Sequence, residues 1–193
     1  MIAALLQTTD MLHPMLPEFE GPIPVVVPVG TDQDPHLRLA RDIAGRTKAY
    51  TFSTLASTYH VFVPGLGGGK MSSSDQNSFI ALTDDAKTVK SKVNKYAFSG
   101  GKETVEEHRR HGGDPDVDVA YQYLTFFEED DKKLKQIHDD YKSGKLLSGE
   151  LKAILIEKLN SFLAEHQKRR EAARKRLHEY LATSDKFTPK QKH

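Results

Sequence analysis

IPVVVPVGTDQDPHLRLARDIA, residues 23–44, changes character at its middle. Ile23 to Gly30 form a short apolar run rich in β-branched residues, the composition of a buried strand in a parallel sheet. Pro24 and Pro28 constrain its ends. After Gly30 the spacing becomes helical, with Asp34 placed to cap and Pro35 suited to the first helical position. Strand, tight turn and helix make the unit of an α/β fold. Ligands of such sheets collect at the carboxyl ends of the strands, which puts Asp32, Gln33 and Asp34 where a ligand would sit.

Upstream, Ile2 to Met11 read as a helix with Ile2, Leu5, Leu6 and Met11 on its apolar face, ended by Pro14, Pro17, Gly21 and Pro22. Downstream, AYTFST (49–54) is the expected second strand, and YHVFVPGL (59–66) leads into a glycine-rich loop. Two or three strands bury too little for a doubly wound sheet, so the expectation is an α/β remnant with more sheet upstream of this chain. From residue 83 the composition is helical. Asp84 and Asp85 open one helix, Thr104 and Glu107 a capping box, and Ser148 is placed to cap a long last helix. In that helix Leu151, Ile154, Leu155, Leu159, Phe162 and Leu163 recur at helical spacing. HQKRREAARKRLHEY (166–180) reads as a solvated face and TSDKFTPKQKH (183–193) as a frayed tail. The division between the α/β piece and the all-helical piece is expected after residue 82.

Composition narrows the functional classes. The 193 residues carry a formal net charge of +1, so any nucleic-acid contact must come from local patches. Without cysteine there are no disulfides and no cysteine-held zinc. The nine histidines show no metal-ligand spacing, and none is assigned to a metal. No apolar run approaches the roughly 20 residues of a membrane helix, and the first residues lack the basic region of a secretory signal. A soluble, cytoplasmic protein is expected.

The loop GLGGGKMSSSDQNS (65–78) admits two readings. One is a plain surface turn, since glycine and serine clusters are turn chemistry. The other is a phosphate loop, in which glycines allow close backbone approach, hydroxyls donate and Lys70 brings a mobile charge. It is not a P-loop. With Gly69 and Lys70 as the Gly-Lys pair, the first glycine would fall on Pro64, and Met71 stands where a hydroxyl is required.

Lys70-Met71-Ser72-Ser73-Ser74 resembles the KMSKS signature of class I aminoacyl-tRNA synthetases. GTDQDPHLRLARDIA is similar to the Asp-Gln-Asp-Pro segment of tryptophanyl-tRNA synthetases of the eukaryotic and archaeal type. KVNKYAFSGGKETVEEHRRHGGDPDVDVAYQYLTFFEEDD resembles the same family through its anticodon-binding domain. Three motifs in order cover nearly the whole chain. Tyrosyl-tRNA synthetases are the nearest rival, but Asp34-Pro35 and the segment from His111 to Leu124 depart from them.

The resemblance implies the end of a Rossmann-type catalytic domain followed by an all-α anticodon-binding domain. It implies the activation of L-tryptophan by ATP with Mg²⁺, transfer to tRNA(Trp), and a homodimer in the complete enzyme. Gly69, Lys70, Met71, Ser72, Ser73 and Ser74 would bind ATP, with Lys70, Ser72 and Ser74 acting on the phosphates and Gly67 to Gly69 as the hinge. Ser73 stands where the signature usually has its second lysine. Gln7 and Gln33 would line the tryptophan pocket. Arg38, Lys102, Glu103 and Lys152 would touch tRNA, against the plain alternative of a salt bridge or solvated charges. The family's His-x-Gly-His motif is not in these 193 residues. The chain by itself is therefore expected to be inactive, and a non-catalytic RNA-binding module is the competing reading.

Overall fold

A parallel pair of strands joined through a helix opens the computed structural model, which describes residues 2–19 and 21–180. β1 (Val26–Gly30), α2 (Asp34–Arg46) and β2 (Ala56–His60) follow one another, with Val26 opposite Ala56 and Gly30 opposite His60. Parallel pairing requires such a crossover, because a tight turn would reverse the chain. The second strand begins two residues past the end of the stretch expected from composition, 49–54. Phe52 and Leu55 pack instead into the core beneath α2. Arg41 holds the connection there, its Nε donating to the Leu55 carbonyl (2.9 Å) and its other nitrogen to Ser57 Oγ (2.9 Å).

The faces of β1 differ. Val25, Val27 and Val29 pack on Met11, Leu12, Met15, Leu37, Ala40 and Leu55, whereas Val26 is 59% exposed. The expectation of a strand buried on both sides thus holds for one side among the described residues. The helix α1 (Ile2–Leu12) corrects a second expectation. It buries Thr8, Met11 and Leu12, leaving Ile2, Leu5 and Leu6 exposed. Fully buried Met15, in the short 3₁₀ turn that follows, continues the stripe of residues 8, 11 and 12. Thr8 is tolerated there because its hydroxyl donates to the Ala4 carbonyl (2.9 Å). Asp34 does not cap α2. The helix begins on it, and its carboxylate turns to side chains instead.

The remaining helices are α3 (Ala86–Tyr96), α4 (Val105–His111), α5 (Val119–Phe127), α6 (Asp131–Lys142), α7 (Ser148–Lys175) and α8 (Leu177–Tyr180). Asp85, Thr104, Asp118 and Asp130 cap the first four through their side chains. Ser148 is not the cap of α7; it lies in the first turn, and Glu150 instead accepts from Leu147 N (2.8 Å). The core seam of α7 is Leu151, Leu155, Leu159 and Leu163, packed with Val89, Val93, Val119, Leu124, Ile137 and Tyr141. Phe162 stays 46% exposed. Residues 168–180 are exposed, as expected; the expected tail at 183–193 lies outside the described residues.

By packing, the chain forms one unit running to Phe62 and another from Val63 to Tyr180. Residues 63–82, grouped with the α/β piece on composition, pack with the helices. Leu66 is fully buried among them, the Tyr123 hydroxyl donates to the Pro64 carbonyl (2.8 Å), and Phe98 N donates to the Leu66 carbonyl (2.8 Å).

Candidate functional site

The loop from Gly65 to Ser78 is tied at its stems. Leu66 N donates to the Ser78 carbonyl (2.8 Å) and Gly65 N to the Gly69 carbonyl (2.6 Å). Gly68 has φ +85°, so of the three consecutive glycines it is the one whose backbone needs glycine. A side chain at Gly65 would wedge the stem open, since its Cβ would stand 3.0 Å from the Ser78 carbonyl. Ser78 Oγ lies 2.7 Å from the Asp75 carbonyl and accepts from Ser72 N (3.0 Å). Ser72 and Ser74 share a hydroxyl–hydroxyl bond of 2.7 Å. Gly69, Lys70, Met71 and Ser72 to Ser74 are all exposed, and among the described residues no carboxylate pairs with Lys70. The arrangement presents an exposed cation and adjacent hydroxyls on a stem anchored by the buried Leu66.

In the α/β unit the structure brings Gln7 and Gln33 together. Gln7 Nε2 donates to Gln33 Oε1 (2.8 Å), so the two amides from α1 and the turn after β1 orient one another. Both are half-buried. Gln33 keeps its amide donors and Gln7 its carbonyl for another partner. Arg38 takes the salt-bridge alternative, its Nε donating to Asp34 Oδ2 (2.6 Å). The Tyr59 hydroxyl also donates to Asp34, and together with Arg38 it holds that carboxyl below the usual carboxylate range. Asp32 is exposed beside them.

Lys102, Glu103, His108, Ser148 and Glu150 line a cavity of about 350 Å³ in the helical unit. Behind it, Asp118 is buried and accepts from Gly100 N (2.8 Å), Ala120 N (2.9 Å) and the Tyr141 hydroxyl (2.7 Å). Tyr141 also meets Ser148 Oγ (3.0 Å), and burial is the main cause that raises its hydroxyl pKa. Lys152 does not line the cavity. It is half-buried on the next turn of α7, where burial lowers its pKa and the Asp118 charge partly opposes the shift.

Arg41, His108, Asp118 and Tyr141 were not singled out from the sequence. Only Asp118 carried a local signal, as a carboxylate directly before a helix. Its bonds to Gly100 and Tyr141 span 18 and 23 residues. Among the described residues no three His, Asp or Glu side chains converge to hold a metal.

A family model described as tRNA synthetases class I (W and Y) matches residues 4–164. The tryptophan–tRNA ligase of Sulfurisphaera tokodaii is 55% identical over 153 residues, covering 78% of this chain and 39% of that protein. The cytoplasmic tryptophan–tRNA ligase of Homo sapiens is 55% identical over 150 residues, 77% of this chain and 31% of that one. Among solved structures, the tryptophanyl-tRNA synthetase of Aeropyrum pernix K1 matches with a TM-score of 0.85 at 48% identity, over 89% of this chain and 47% of the other. The chain therefore spans less than half the length of these relatives. No described helix is long and apolar enough to cross a membrane.

Proposed function

The chain belongs to the class I tRNA synthetases, in the group of the tryptophan and tyrosine enzymes, and on that footing we propose that it forms part of a tryptophan–tRNA ligase. Tryptophan is chosen over tyrosine because relatives at 55% identity carry the tryptophan name. The reaction is attack of the tryptophan carboxylate on the α-phosphate of ATP, with pyrophosphate leaving, then transfer of the aminoacyl group to tRNA(Trp). The loop carries this reading: a cation without a carboxylate partner among the described residues, and two hydroxyls side by side on locked stems. Lys70 meets the charge that builds on the leaving pyrophosphate, and Ser72 and Ser74 add directional donors. Gly69, Met71 and Ser73 complete the ATP contact. No step is routed through Mg²⁺.

Gln33, oriented by Gln7, offers its amide to tryptophan. The helical unit is read as the anticodon-binding part, with Lys102 and Glu103 at the mouth of a cavity where a splayed base can enter. Lys152 supports that surface from the next turn, and Arg38 reaches the acceptor end once it leaves Asp34. A homodimer in the cytoplasm goes with this reading. The activity belongs to a protein of the relatives' length, and the 193 residues alone are expected not to activate tryptophan, since positioning by half a phosphate clamp is not enough.

Tryptophan-dependent ATP–pyrophosphate exchange tests the assignment in a protein of that length. Lys70→Ala is expected to slow exchange by about 10² or more while leaving tryptophan affinity unchanged, because the lysine acts mainly in the transition state. A normal exchange rate with weakened tryptophan binding would reverse the assignment.

A further inference from the structure

We propose that Met71 is an oxidation site, at which a peroxide places one oxygen on the thioether and so weakens the hold of the lysine loop on phosphate. The effect on phosphate rests on the reading of the loop as phosphate-binding; the oxidation itself does not. The chain has neither cysteine nor tryptophan, so the sulfur that a peroxide can attack is confined to four methionines. Two of them, Met11 and Met15, are 7% and 0% exposed and pack with Leu12, Leu37, Ala40 and Leu55. Met71 is 37% exposed and stands directly between Lys70 and Ser72. Methionine oxidation follows access to the side chain. Among the described methionines, the one open to solvent is the one inside the lysine loop.

The step needs only hydrogen peroxide. A lone pair on the Met71 sulfur attacks one peroxide oxygen, the O–O bond breaks and an S–O bond forms. The departing hydroxide takes the proton that the transferred oxygen carried and leaves as water. Sulfur is oxidised and the peroxide is reduced. The product, methionine sulfoxide, is returned to the thioether by sulfoxide reductases, so the change is reversible.

The consequence follows from what the new oxygen can do. A thioether is flexible and apolar and asks for no partner, whereas a sulfoxide is polar and its oxygen accepts hydrogen bonds. Donors close by are already engaged: Ser72 N donates to Ser78 Oγ (3.0 Å), and the Ser72 and Ser74 hydroxyls hold each other (2.7 Å). The cation next to it in the chain is Lys70. Phosphate oxygens are acceptors as well. When the loop closes over them, the sulfoxide oxygen faces its own kind or draws the Lys70 ammonium away from them. Both outcomes raise the cost of closure.

The test begins with the 193-residue chain, treated with hydrogen peroxide and mapped by peptide mass spectrometry. Met71 is expected to gain oxygen about tenfold or more faster than Met11 and Met15. Oxidation of Met71 no faster than of those two overturns the site. The second arm uses a protein of the relatives' length and tryptophan-dependent ATP–pyrophosphate exchange. The same treatment should slow exchange about tenfold, the effect of one badly placed polar group, and methionine sulfoxide reductase should restore it. Met71→Leu, compared only with its own untreated rate, should lose nothing to peroxide. A loss that persists in Met71→Leu overturns the effect on phosphate. So does exchange that oxidation of Met71 leaves unmoved while Lys70→Ala slows it. Exchange unmoved by both removes the phosphate reading of the loop, and the effect of oxidation with it.

Discussion

The two units satisfy their helices by different means. In the helical unit Asp85, Thr104, Asp118 and Asp130 each accept backbone N–H groups in the turn they open. In the α/β unit α2 starts without a side-chain cap, and Asp34 serves Tyr59 and Arg38 instead. The surfaces differ in the same sense. The leucine seam of α7 is closed at every fourth residue from 151 to 163. The α/β unit, about half as long, leaves Ile2, Leu6, Val26, Val61 and Phe62 more than half exposed, against Phe98, Val105, Leu177 and Tyr180 in the helical unit. Local signals that agree with the final packing give a unit that carries its own stability. Apolar faces left open mark a unit whose stability depends on what covers them.

The independence of the helical unit depends most on Asp118. Asp118→Ala strands several buried donors at once and is expected to cost the helical unit about 3 kcal/mol or more. Hydrogen exchange of α5 to α7 under mild urea measures it. An equal loss of protection in β1 and β2 would show that the units do not unfold separately. Next comes a matched pair of leucines. Leu155→Ala on α7 should cost about 2–5 kcal/mol, since its side chain is fully buried. Leu6→Ala on α1, an exposed position, should stay within about 0.5 kcal/mol. Comparable losses in chemical denaturation would mean that α1 is better covered than its surface indicates.

The smallest effect is acid sensitivity at Glu128. Bonds first from Lys133, then from Lys158, hold its carboxyl at about 2 against an ordinary 4.5. A depressed carboxyl stabilises the fold above the ordinary value, and that contribution fades as pH falls from about 4.5 toward 2. Glu128→Gln should flatten this part of the pH profile of the urea midpoint. An unchanged acid limb would place the sensitivity elsewhere.

The same contrast explains what was legible in the sequence. Although the caps expected of Asp34 and Ser148 do not form, β1, α2 and the helices α3 to α7 follow from local period and composition, and α4 from its Thr104 cap as well. β2 does not, because AYTFST has strand composition while Phe52 and the Arg41 bonds decide where pairing starts. The buried face of α1 was hidden for a similar reason, being set by Met15 beyond the helix. At the site, glycine, lysine and serine chemistry made the loop visible. Its attachment to the helices was not, since Leu66 meets Val89, Val93 and Val119 from far along the chain. Lys102 and Glu103 were reached only through the resemblance. His108 and Tyr141 had no local mark, because their roles arise from partners more than twenty residues away.

Joined at Leu66 and Ser78, the lysine loop is a closed tether, and a tether sets a local concentration. Doubling the length of a flexible loop costs a fold only about 0.6 kcal/mol. Residues inserted at Gly67, where an added Cβ would meet nothing within 4 Å, should therefore leave the helical unit standing. They would instead dilute the ammonium of Lys70 over the phosphates it is proposed to meet. Loop length is thus a dial on reaction rate with little leverage on stability.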